Sequence, residues 1–413
     1  MRLLWASVLL ASAGIPLTGS QVTPVAMNVN TRYTIEAVEL VGNGEFKLSR
    51  GLKAAISDLT GARLDFSLLG ELAERLRTEL HARVVTHRIQ RGTIPDHVKV
   101  VFEITRRMVE LNVSVPRFLY HSRQGWTGQA EASVTMGTHQ ASFGVVSDND
   151  EVVERSTGIY GRFEKRRLGS NRLRGRFLYE GYRARWNPTT LTAMEAGDPS
   201  TRYRTRQNFE PELSFALTRN VALALSASFQ LLEPQQATGH NESVNAIKTG
   251  VRYHRLWEDS GTGRVSLDAA YSLHAANAAF SSDYEYTRHR ADLQIAFTEG
   301  RHHGLFRLQA GTISGLAPYY ERFVAGNSST LRGWNRFDIA AAGASRMVVQ
   351  SLEYRYGWVF GFYDAGAVWN RGGRAPVRHS LGGGLRRDNL FLALAFPLRD
   401  GKMDPVLMAG MNF

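Results

Sequence analysis

Three charged side chains are set in patterns that suit ion binding. Arg332 sits in the run Tyr319-Tyr320-Glu321-Arg322-Phe323-Val324-Ala325-Gly326-Asn327-Ser328-Ser329-Thr330-Leu331-Arg332-Gly333-Trp334, which joins two strand-like segments. An ordinary surface connector is polar. This one holds aromatics, arginines and glycines at turn positions. Glu353 follows in Ser351-Leu352-Glu353-Tyr354, and Asp364 in Phe362-Tyr363-Asp364-Ala365-Gly366. Strand side chains alternate faces, so Glu353 groups with Ser351 and Arg355 against Leu352, Tyr354 and Tyr356. Asp364 lies opposite Val359, Tyr363, Ala365 and Trp369, a lipid face in waiting. The two carboxylates are then expected to point inward on neighbouring strands, where an arginine on an infolded connector would be held by both. Arginine–carboxylate bonds are strong and directional. A guanidinium removed from water needs such partners to offset its lost hydration.

Catalytic, cofactor and metal chemistry find no comparable pattern. There is no Gly-x-Ser-x-Gly elbow and no His-Glu-x-x-His helix, so no catalytic residue is assigned and the chain is read as a non-enzyme. His302-His303 is an adjacent pair at a turn whose members point to opposite faces, a poor metal site. Gly382-Gly383-Gly384 sits in a strand-like segment, without the strand-to-helix context of a phosphate loop. It is read as a bend. With no cysteine, neither disulfides nor thiolate metal sites are available.

The elements that must position these residues are strands. Tyr203, Phe209, Leu213, Phe215 and Leu217 share one parity, and Arg204, Arg206, Asn208, Glu210, Glu212 and Ser214 the other. Val221, Leu223, Leu225, Phe229 and Leu231 oppose Ala222, Ser226, Ser228 and Gln230 in the same way. The pattern recurs from Val109 to the end, in about sixteen segments, the first being Val109 to Phe118. Connectors alternate in length. Longer connectors near 147–153, 187–202, 232–242, 276–283, 314–343, 370–377 and 398–404 alternate with short turns at 168–171, Arg219-Asn220, 258–262, 299–303, Gly357 and Asp388-Asn389. Outer-membrane barrels have this long–short rule and an even strand number. Pro211 breaks the ladder of its strand and is expected to mark a bulge.

Upstream, the grammar changes. Residues 33–107 read as strand, helix, helix, strand, strand. The first helix carries Leu52, Ala55, Ile56 and Leu59 and stops at Gly61. The second is capped by Asp65 or Ser67 and is striped by Leu68, Leu72, Leu76 and Leu80. Val84 to Ile89 forms a strand, and Val98, Val100, Phe102 and Ile104 alternate in the last one. Before this domain, Arg2 and the apolar run Leu3 to Leu17 read as a signal peptide over residues 1–20. The chain has 413 residues, net charge +12 and 43% hydrophobic residues. A secretory signal argues against nucleic acid as the partner of that charge. Much of it falls on the polar parity of strands, as at Arg172, Arg174 and Arg176, where it lines a lumen wall or attracts anionic lipid.

Leu331-Arg332-Gly333-Trp334 with its run-in Glu321-Arg322-Phe323, the strand motif Phe362-Tyr363-Asp364-Ala365-Gly366, Glu353 and the terminal Phe413 together resemble the BamA/TamA superfamily of outer-membrane assembly and translocation proteins. The resemblance covers nearly the whole mature chain. It implies a sixteen-stranded transmembrane antiparallel β-barrel over 108–413, preceded by one periplasmic βααββ domain of the POTRA kind over 33–107. It implies that Arg332, on the sixth extracellular loop, folds back into the lumen toward Asp364 and Glu353, and that Phe413 ends the sorting signal. It implies residence in the bacterial outer membrane and partners among unfolded outer-membrane or secreted clients, the lipid bilayer, periplasmic chaperones and accessory lipoproteins. The expected role is assembly or insertion of clients through the small domain and a seam between the first and last strands. A dedicated two-partner-secretion translocator, a passive porin and a lipid-handling barrel are the rivals. Well-studied assembly relatives carry several small domains, and this chain has room for one.

Overall fold

A computed structural model of the chain describes residues 32–42, 46, 48–80, 82–106, 109–195, 202–236, 239–258, 263–399 and 404–411. The expected signal peptide over 1–20 and the terminal Phe413 lie outside these residues. The chain divides into two compact units, residues 1–107 and 108–413.

The first unit has the expected order: β1 (Thr34–Gly42), α1 (Arg50–Leu59), α2 (Phe66–Glu79), β2 (Ala82–Arg91) and β3 (His97–Arg106). β3 is the centre of the sheet, parallel to β1 and antiparallel to β2. The Ser49 hydroxyl accepts from the Leu52 amide at 3.2 Å and starts α1. Asp65, rather than Ser67, caps α2, accepting from the Ser67 amide at 2.9 Å. The buried face of α2 is Leu69, Leu72, Ala73 and Leu76, and the expected Leu68 is 44% exposed. A stripe built only of four-residue steps turns about 40° per step around a helix with 3.6 residues per turn. Mixing three- and four-residue steps keeps the face on the core of Ile35, Val100, Phe102 and Ile104.

The second unit is a closed barrel of sixteen strands, from β4 (Glu110–His121) to β19 (Val406–Met411), with β19 returning to β4. Every neighbour pair is antiparallel. Outward parity carries exposed apolar side chains, among them Phe143, Phe163, Leu213, Leu225, Leu352 and Leu392. Inward parity carries ion pairs: Arg162 with Glu131 at 3.0 Å, and Lys248 with Glu210 at 2.6 Å. An apolar outside and a charged inside is the reverse of a soluble barrel, and it suits lipid. No helix among the described residues is long and apolar enough to cross a membrane.

At one end of the barrel the connectors are short, as at 137–138, 300–301, 357–358 and 388–389. At the other they lengthen, as at 186–202, 277–285, 316–345 and 370–377; the rule breaks at 122–124, which is short, and at 166–172 on the short-turn end, which is longer than 149–154. Pro211 makes no bulge. β9 (Tyr203–Ala216) keeps one register with β10 (Val221–Pro234) on both sides of it, and the pairing merely skips Glu210 and Pro211. The missing amide is tolerated because one absent rung leaves the alternation intact. The bulge falls instead between Ser114 and Arg117 in β4, at Val115-Pro116. Gly382 to Gly384 also leave their register unbroken with both neighbours.

Candidate functional site

The connector 316–345 between β14 (His302–Gly315) and β15 (Arg346–Tyr356) is almost entirely buried from Tyr319 to Phe337. Its apolar members Tyr320, Phe323, Leu331 and Trp334 pack on Ile313, Met347, Val349 and Val368. The loop therefore folds onto the inner wall instead of standing in solvent.

At its deepest turn the backbone is forced. Leu331 has φ +47° and Gly333 has φ +102°. A Cβ on Gly333 would come within 3.1–3.2 Å of backbone and Cβ atoms of Ala395 and Phe396. These two residues turn Arg332 so that both its amide and its side chain reach Asp364. The amide donates to Asp364 Oδ2 at 2.9 Å, Nε to Oδ2 at 3.0 Å and Nη2 to Oδ1 at 2.9 Å. Nη1 donates to Glu353 Oε2 at 2.8 Å, and Nη2 also to the Ser351 hydroxyl at 2.9 Å. Arg332 is 3% exposed and Asp364 0%.

The wall positions these acceptors by register. Ser351 pairs with Asp364, and Glu353 with Phe362, between β15 and β16 (Val359–Trp369). The Phe362 ring lies under the guanidinium, 3.5 Å from its carbon. That ring has room because position 382 is glycine: a Cβ there would sit 2.3 Å from Phe362 Cζ. Gly382 thus clears space for the ring. Gly366 serves the ladder itself, since a Cβ would meet the Val348 carbonyl at 2.7 Å. Glu353 uses its second oxygen to accept from Arg386 at 3.0 Å, on β17 (Arg378–Arg387). The loop arginine thus joins β15 and β16 directly, and Arg386 carries the cluster on to β17 through Glu353. Trp334 Nε1 donates to the His379 carbonyl at 2.8 Å and ties the same turn to β17.

The loop has further anchors. Glu321 lies 3.5 Å from Arg288 and 3.4 Å from His274. The Phe323 ring lies under Arg288, in space left by Gly311. At the tip, the Ser328 amide donates to Asp150 at 3.2 Å, and Gln124 donates to the Gly326 carbonyl at 2.6 Å. Arg336 donates to the Val152 carbonyl.

The structure brings together Leu331, Arg332, Gly333, Trp334, Glu353, Phe362 and Asp364, with Gly366 on the same strand as Asp364. Ser351, Arg386, Asp150 and Gln124 are partners that sequence reasoning did not assign. Inward parity was a usable signal for Ser351 and Arg386. Nothing local marked Asp150 or Gln124, whose role depends on where the loop tip lands.

The second notable region is the closing junction. β19 pairs with β18 (Leu390–Leu398) over its full length, but with β4, among the described residues, only through Met408–Met411 and Phe118–His121. Below that ladder, Leu111 and Val113 of β4 are 70% and 73% exposed and have no partner on β19 among the described residues. Gly410 does more than loosen this ladder: a Cβ would come 2.4 Å from the Phe118 carbonyl, so glycine permits the close approach there. The last rungs are extended by Ser122, whose amide donates to the Leu407 carbonyl at 2.9 Å.

The Omp85 superfamily domain matches residues 176–391, more than half of the chain. Among solved structures, BamA from Haemophilus ducreyi lacking POTRA domains 1–3 is similar at 17% identity and TM-score 0.62, covering 92% of this chain and 84% of that one. CdiB from Acinetobacter baumannii is similar at 15% identity and TM-score 0.53, covering 92% and 73%. CdiB from Escherichia coli is similar at 14% identity and TM-score 0.50, covering 92% and 76%. No curated protein sequence matches. At these identities the structural likenesses speak for the fold.

Proposed function

The chain belongs to the Omp85 superfamily, and from that premise we propose that it is a non-enzymatic factor that inserts or translocates client proteins at the outer membrane. The βααββ domain lies in the periplasm in this reading and receives unfolded outer-membrane or secreted chains, with periplasmic chaperones or accessory lipoproteins as partners. The barrel then offers its closing junction to the client. The observation that carries the reading is the short ladder between β19 and β4, beside a β4 edge whose residues Leu111 and Val113 find no partner on β19 among the described residues. An open strand edge templates the addition of another strand. The buried loop 316–345 supports assembly over passive conduction, because it fills space that a porin leaves to water. The Arg332 cluster is proposed to brace the wall that must stay closed while the junction parts.

The test is a tether. Tyr120 and Ala409 pair directly across the junction, and the protein has no native cysteine. Tyr120→Cys with Ala409→Cys, oxidised in phospholipid vesicles, should lose assembly of a radiolabelled client barrel and regain it with reductant. Full activity in the oxidised form would reject the proposal. Depletion in the native host separates the remaining readings: loss of many outer-membrane barrels marks a general factor, and loss of one exported species marks a dedicated translocator.

A further inference from the structure

We propose that the outer wall around β7 (Arg155–Lys165) to β10 carries a binding site for an anionic phospholipid, of the leaflet at the short-turn end of the barrel. The inference takes from the functional reading only that the barrel sits in a bilayer.

A groove of about 510 Å³ opens on the lipid-facing side of these strands. Register explains it. Across β7, β8 (Leu173–Arg185), β9 and β10, one outward row near the turn runs Lys165, Gly175, Leu213, Leu225. In the next row Phe163 pairs with Phe177 and Phe177 with Pro211, and Ala227 of β10 pairs with Ile247 of β11 (Glu242–Glu258). Gly175, Pro211 and Ala227 are small, so the wall is thin where they stand, while Phe163, Leu213, Leu225 and Ile247 project around them. The lining is apolar and shaped for hydrocarbon. Leu168 bends from the turn onto Gly175, where a Cβ would sit 2.8 Å from its Cδ1, and so closes the turn end of the groove.

That end is strongly basic. The segment 165–174 holds Lys165, Arg166, Arg167, Arg172 and Arg174, and Arg219 lies in the next short turn. Arg167 and Arg172 are exposed, and Lys165 is half-buried on the lipid-facing parity of Phe163. The one acid here, Glu164, is engaged by Arg162 at 3.4 Å. Arg166 donates to Gln140 at 2.9 Å, a neutral partner. No acidic partner meets Lys165, Arg167 or Arg172 among the described residues. Other short turns are less basic: 357–358 carries no cation, 388–389 carries Asp388, and 300–301 carries the single Arg301. A cationic rim above an apolar groove fits an acyl chain with its phosphate head group at the interface, where lysine stems run along lipid and their charges reach the surface.

Native mass spectrometry of the full chain, titrated in detergent with phosphatidylglycerol or phosphatidylcholine, tests this. Phosphatidylglycerol should be retained over phosphatidylcholine by a factor on the order of ten. Combined Lys165→Gln, Arg167→Gln and Arg172→Gln should abolish the preference, and Ala227→Phe should lower retention of both lipids by occupying the groove. The triple variant alters only rim positions, so it still decides the matter if Ala227→Phe does not fold. Equal retention of the two lipids, an unchanged preference in the triple variant, or stronger retention of a phosphorylated glycolipid would overturn the proposal. Heat-modifiable migration of the same samples reports barrel folding separately, and client assembly is a third readout, so failure here is distinguishable from failure of the proposed function.

Discussion

The wall of β15 to β17 and the junction of β19 with β4 are made of the same alternating strands, yet they are closed by different means. In the wall, long ladders are cross-linked from inside: Arg332 spans Ser351, Glu353 and Asp364, and Arg386 extends the cluster by sharing Glu353. At the junction the ladder covers four residues of each strand among the described residues, and β4 carries a bulge at Val115-Pro116 in its pairing with β5. The difference shows that a barrel can be closed topologically while its mechanical strength is distributed unevenly. Side-chain cross-links, which the ladder alone does not supply, mark the part that holds.

The largest expected effect comes from removing the cross-link. Arg332→Ala leaves Asp364 buried without its cation and Glu353 with Arg386 alone, a loss of roughly 3–5 kcal/mol. Urea unfolding in vesicles, followed by tryptophan fluorescence, should show it. An unchanged midpoint would remove the contrast between the two regions. Gly410→Val should act in the opposite region, because its side chain meets the Phe118 carbonyl; overpacking of this kind costs about 1–3 kcal/mol. Amide exchange should rise at 406–411 and stay constant at 347–368. Gly333→Ala is a finer probe of how the loop delivers Arg332. Its φ of +102° disfavours a Cβ, at roughly 1–2 kcal/mol. Its effect should largely vanish in an Arg332→Ala background, and plain additivity would show that the turn does not serve the arginine.

Much of this was legible because strand parity is a one-residue rule. The carboxylates Glu353 and Asp364 fall on inward parity by counting alone, and Leu331-Arg332-Gly333-Trp334 is conspicuous in a connector that ought to be polar. What parity cannot supply is register between strands. It therefore left Arg386 unassigned to Glu353, and it gave no view of Asp150 meeting Ser328 far along the chain. The prolines teach the same point. Pro211 and Pro116 look alike in sequence, but whether a lost amide breaks a ladder depends on what the facing strands do around it. In the small domain, the expected Leu68 was displaced by Leu69 because the helix face is set by the sheet it packs on.

Peptide-resolved hydrogen–deuterium exchange on the full-length chain in phospholipid vesicles tests the central contrast most directly. Amides of 118–121 and 406–411 should exchange at least roughly tenfold faster than those of 347–353 and 360–368, as local opening at a short ladder requires. Equal protection of the two sets, or slower exchange at the junction, would contradict the account.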